Sequence, residues 1–184
     1  MNENKPELLD MAISYIQEGL KKNLPWLDEA FGRAERIVKQ INGKKVYLPV
    51  CYKSMNDYME LIPDSGIGNF CFFYVDDPQE VDWQKNVSIG IQATFSLIVW
   101  LDYRKVFNST NIRNKEEVKK QILDVLNKDV WMRRGRFNIE RIFEKAENIY
   151  DGFSLNEVDN QFLMHPYGGF RFEGQLNIQE TCVL

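Results

Sequence analysis

The stretch from Val87 to Leu101 constrains the fold more than any other part of the chain. Val87, Ile89, Ile91, Ala93, Phe95, Leu97, Val99 and Leu101 are apolar at every second position, and Ser88, Gly90, Gln92, Thr94 and Ser96 stand between them. Successive side chains of a strand point to opposite faces, whereas a helix would scatter this pattern around its circumference. The spacing therefore predicts one strand, far longer than the usual ~5–6 residues, greasy on one side and wettable on the other. Near its end Ile98 and Trp100 make the second face apolar too, which calls for cover from a helix or another chain. A second alternation closes the sequence. Phe170, Phe172, Leu176 and Ile178 alternate with Arg171, Glu173, Gln175, Asn177 and Gln179, and Gly174 falls on the apolar face, where a bulge or close packing is expected.

Strands with one polar face belong to antiparallel sheets, and helices must cover the apolar side. Helix signals are present at the required places. Leu8, Leu9, Ala12, Ile13, Ile16 and Leu20 follow helical spacing over residues 5–22, behind Asn4, Pro6 and Glu7 as start signals. Asn114 and Glu117 form a second capping pattern ahead of Val118, Ile122, Leu123, Val125 and Leu126. A third helix is predicted from about Asn138, with Ile139, Ile142, Phe143, Ala146 and Ile149 inward and Gly152 as its stop. The expected architecture is a two-layer α+β domain, a mainly antiparallel sheet with helices packed on one face. Its 184 residues suit a single domain, 1–184. Residues 87–180 would hold the sheet and helices.

Two stretches read less simply. Trp26, Leu27, Ala30, Phe31 and Ala34 suit a short amphipathic helix. Asn42-Gly43 accepts the positive φ of a type I′ turn, and β-branched residues and Tyr47 flank it, so a hairpin is favoured over a helix ending at Gly43. Residues 54–84 lack Lys and Arg but carry Asp57, Glu60, Asp64, Asp76, Asp77, Glu80 and Asp82. Within this acidic, loop-rich segment, Phe70–Val75 is a buried-strand candidate.

Composition narrows function. The net charge of −4 argues against nucleic acid as the main ligand, because phosphate binding calls for a basic excess. Cys51, Cys71 and Cys182 form no C-x-x-C pair, and their odd number opposes a secreted disulfide framework. The N-terminus has no signal-peptide pattern, and no apolar run approaches the ~20 residues that span a bilayer. One histidine, His165, cannot build a multi-histidine metal site. It reads as part of the turn entering the last strand, and no nucleophile elbow accompanies it. Gly66-Ile67-Gly68 is the only GxG and reads as a turn. Asp76, Asp77, Glu80 and Asp82 read as a solvated acidic loop. The expectation is of no catalytic, cofactor or metal residues, hence no enzyme. The strongest local charge signal is Arg133, Arg134 and Arg136, in a basic connection between helices. Basic and acidic stretches on one chain can meet between neighbouring subunits and set the register of a ring. The candidate partner-binding residues are Arg133, Arg134, Arg136, Trp100, Asp76 and Asp77.

In outline the chain resembles the small tail-terminator and tail-completion proteins of long-tailed bacteriophages. The resemblance rests on Val87–Asp102, on the helix from Asn114, and on Tyr167-Gly168-Gly169-Phe170-Arg171-Phe172 leading into the final strand. It implies a non-enzymatic ring of identical subunits that caps the tail tube and contacts the head connector. It also implies assembly in the host cytoplasm followed by incorporation into the virion. The segment from Lys53 to Asn86 is longer than a minimal member needs. The rival reading is a small-molecule-binding or enzymatic domain whose pocket, lined by Trp83, Trp100, Tyr103 and His165, lies between sheet and helices.

Overall fold

The computed structural model describes residues 7–54, 57–64, 66–84, 88–107, 114–128, 135–156 and 158–181. In chain order the elements are α1 (Leu8–Asn23), β1 (Glu29–Arg33), β2 (Glu35–Ile41), β3 (Lys44–Ser54), β4 (Asp57–Glu60), β5 (Phe70–Val75), β6 (Glu80–Gln84), β7 (Ser88–Asp102), α2 (Tyr103–Phe107), α3 (Lys115–Lys128), β8 (Gly135–Phe143), α4 (Ala146–Ile149) and β9 (Tyr167–Thr181). The fold is α+β with mostly antiparallel sheets. A six-stranded sheet runs β1-β5-β7-β9-β8, with β6 pairing beside β7, and β2-β3-β4 form a second, three-stranded sheet.

The predicted long strand is β7, and the closing strand is β9. They pair antiparallel over the full length of both, from Ser88↔Thr181 to Asp102↔Tyr167. The alternation does what the sequence predicts on the helix side. Ala93, Phe95, Leu97, Val99 and Leu101 join Phe170, Phe172, Leu176 and Ile178 in one core with Ile13, Ile16 and Leu20 of α1 and Val118, Ile122 and Val125 of α3. The Trp26 indole N–H donates to Gln121 Oε1 at 2.8 Å and ties the segment after α1 to α3. At the start of α3 the Asn114 amide donates to the Glu117 carboxylate at 2.7 Å, a side-chain variant of the expected capping pair. Asn4 and Pro6 lie outside the described residues, and α1 begins after Glu7. The hairpin is present: Asn42 and Gly43 have φ of 50° and 76°, and Ile41↔Lys44 closes the turn.

The second face near Ile98 and Trp100 is covered by the chain itself. Both sit with Phe70 and Phe72 in a second core, closed by Cys51 of β3, Leu61, Ile67 and the Ile149–Tyr150 end of α4. The small sheet thus adds a layer over one end of the main sheet, opposite the helices.

Three expectations are corrected. Residues 26–34 contain no helix; β1 runs parallel to β5. Ala30 packs into the helix-side core while Phe31 and Ala34 pack into the other, a split that needs strand geometry. The helix expected from Asn138 is β8 followed by the short α4. A bulge at Glu140 produced the misleading pattern. Ile139 faces Gly174 and Arg141 faces Glu173, so one extra residue turns a spacing of two into three and mimics helical periodicity. The acidic segment is less loop-like than expected, since β4 and β6 lie in it as well as β5.

Candidate functional site

The structure scatters the residues proposed for partner binding. Trp100 is 3% exposed and belongs to the second core, so it cannot present a surface. Arg136 is exposed on β8, opposite Asn177, rather than in a helix–helix connection. Arg133 and Arg134 lie outside the described residues. Asp77 is exposed. Asp76 meets a basic group of its own chain, Arg171 Nη2, at 3.6 Å. For Asp76 the opposite charge comes from within the fold. Among the described residues, those expected to line a pocket near His165 are not gathered in one place: Trp100 and Tyr103 belong to different cores and His165 is exposed. The Trp83 side chain is outside the described set. Cys71 behaves as the expected buried hydrophobe, and burial pushes its thiol up to about 12.

A different constellation does come together. On the polar face the strands stack their side chains in rungs. Tyr74, Ser96, Glu173 and Arg141 form one rung across β5, β7, β9 and β8. Phe72, Ile98, Arg171 and Phe143 form the next. Beyond Tyr74, Asp76 donates its N–H to the Thr94 carbonyl at 3.0 Å and so continues the edge of β5. Arg36 of β2 and the Asp151-Gly152 turn after α4 wall this floor on one side. The resulting cleft has a volume of about 380 Å³.

Its electrostatics centre on Arg171, which is 3% exposed. Arg171 Nη2 lies 3.1 Å from Glu173 Oε2, and Nη1 donates to the Asp151 carbonyl at 3.0 Å. Glu173 Oε1 takes Arg141. Arg171 Nε and Ser96 Oγ are buried without a hydrogen-bond partner. Burial holds the Asp76 carboxyl above its ordinary range; Arg171 pulls it down, and Glu173, Asp151 and Asp77 push it up again. Burial also raises the Tyr74 phenol, assisted by Asp76 and opposed by Arg36, whose guanidinium bonds to it. Arg36 in turn stacks over the Tyr47 ring, 4.6 Å from its centroid.

Arg171 and Glu173 are visible in the sequence as polar-face residues of the last strand. Nothing there marks them as buried, because the small sheet and the α4 turn that enclose them come from distant segments. Beside the cleft the β7 and β9 positions of the same face turn uncharged. Gln92 donates to Gln175 at 3.5 Å and Gln175 to Thr94 at 3.4 Å, with Asn177 and Gln179 further along β9. Among the described residues no cluster of three His, Cys, Asp or Glu is arranged to hold a metal ion, and no helix is long and apolar enough to cross a membrane.

Compared with known proteins, the chain matches no family model, and no curated protein matches it.

Proposed function

We propose that this chain is a non-enzymatic virion-assembly protein of the kind it resembles in outline: a subunit of a homo-oligomeric ring that caps a phage tail tube and meets the head connector. On this reading it acts in the host cytoplasm and then in the virion, and binds no specific nucleic acid. The observation that carries the proposal is the uncharged polar strip that β7 and β9 share on the main sheet, bordered by Glu80 of β6 and Arg136 of β8. Gln92, Thr94, Gln175 and Asn177 form an amide and hydroxyl patch on two fully paired strands, and Gln92 is exposed. Interface centres are depleted in charge, and such a patch can exchange water for hydrogen bonds to a neighbour. The exposed Tyr52–Tyr58 pair, 5.6 Å between ring centroids, adds a second surface of interface-type composition.

The test is the mass of the purified chain in solution, with electron microscopy of the same sample and of tails purified with it. Rings are expected, and Gln92→Arg should lower the oligomer mass while shifting stability by no more than ~0.5 kcal/mol. A monomer at every concentration that never associates with tails would sink the reading. A small-molecule-binding domain is the second reading, and the observation favouring it is the charged cleft, not the surroundings of His165.

A further inference from the structure

We infer that the cleft over Arg171 binds a compact oxyanion, a carboxylate or phosphate group, held between Arg171, Arg36 and Arg141. The inference does not depend on ring formation. It follows from counting donors and acceptors. Glu173 already spends both carboxylate oxygens, one on Arg141 and one on Arg171. Asp76 stands 3.6 Å from Arg171, close enough for attraction but too long for a hydrogen bond. The Asp151 carbonyl satisfies one Nη group. The Arg171 Nε–H is left buried with no acceptor, a costly state for a guanidinium group.

The two other arginines are underused in the same direction. Arg36 has no carboxylate within ion-pair distance among the described residues; it bonds to the Tyr74 phenol and rests on the Tyr47 face. Arg141 shares a single oxygen of Glu173 and its side chain is 63% exposed. Three planar donor forks thus line a space whose best acceptor, Glu173, already serves two of them. Guanidinium forks match carboxylate and phosphate geometry. About 380 Å³ is the size of a small-ligand site and far exceeds the ~30 Å³ share of one water. Asp76, Asp151 and Glu173 also line the cleft, so three carboxylates balance the three arginines, and binding of an anion should be weak. Asp76 competes with the ligand for Arg171, which makes its removal informative.

The test uses the full chain labelled with nitrogen-15, with arginine Nε–H resonances followed while inorganic phosphate or acetate is added at ionic strength matched with sodium chloride. A saturable shift at millimolar probe is expected, and the probe that saturates earlier identifies the favoured class. Arg36→Gln should weaken binding by about tenfold, the loss of one charge-assisted contact. Asp76→Asn should tighten it. Thermal unfolding of each variant checks the fold, and the exposed Arg141→Gln replaces Arg36→Gln if that variant does not fold. Shifts that are linear and reproduced by chloride alone would overturn the inference, as would affinity unchanged in the arginine variant. Either result would leave a bridging water on Nε and a purely structural ion network.

Discussion

At Asp76, burial outweighs the attraction of Arg171, and the carboxyl sits above its ordinary range. At Asp102, burial acts the same way but loses. The Arg104 guanidinium bonds both carboxylate oxygens, at 2.7 Å and 2.9 Å, and holds the group below its ordinary range. Linkage gives the two residues opposite pH signatures. A raised folded pKa favours the fold below the unfolded value of ~3.9, and that advantage is lost as pH rises through the folded value. Asp76→Asn should therefore stabilise the chain at pH 7, the gain fading toward pH 4. A lowered folded pKa contributes stability above the unfolded value, lost as pH falls through the folded one. Asp102→Asn should therefore destabilise at pH 7 and matter progressively less in acid. Urea midpoints of the parent and both variants between pH 7 and pH 3 check this. If Asp76→Asn destabilised at pH 7 as Asp102→Asn does, the burial argument for Asp76 would be wrong.

Among the elements, those legible in the sequence are the ones whose periodicity is long and whose partners are local. The alternation of β7 runs through fifteen residues, so no helix could mimic it. The β2–β3 hairpin is set by Asn42 and Gly43 alone. The misread elements are short or interrupted. β1 has five residues, and its apolar side chains divide between two cores. β8 carries the bulge at Glu140, and the site residue Arg141 was hidden inside a predicted helix. Arg36 and Asp151 reach the cleft only because the small sheet and the α4 turn fold over the main sheet, which no local pattern announces. The bulge also explains Gly174. A Cβ there would lie 1.8 Å from the Asn138 carbonyl oxygen, so β8 and β9 can approach only at a glycine. Gly174→Ala should force the two backbones apart and cost about 1–3 kcal/mol, the range for overpacking, as read by urea denaturation. A neutral result would mean that the bulge has room to relax.

For the whole molecule, the main sheet is shared by two cores of different depth. The helix side gathers residues from α1, α3 and five strands of the main sheet. The opposite core is smaller, and the three-stranded sheet that closes it has no strand ladder to the main sheet. Among the described residues its backbone links to the rest of the fold are few, such as those between Tyr47 and Ser154. Side-chain packing on Phe70, Phe72, Ile98 and Trp100 therefore carries most of its attachment. Regions held by fewer buried contacts open at free energies below global unfolding. Native-state hydrogen exchange should then show the Val46, Tyr47, Leu48 and Val50 amides of β3 opening together, at lower free energy and with a smaller urea dependence than the Phe95–Leu101 amides of β7. Such an opening would also uncover Arg171, because Arg36 leaves with the small sheet while Glu173 and Asp76 stay. An oxyanion that bridges Arg36 and Arg171 would close the two layers together and raise the protection of β3 selectively. Equal opening energies for β3 and β7 would instead show one cooperative unit, with the cleft rigid and its arginines fixed in place before any ligand arrives.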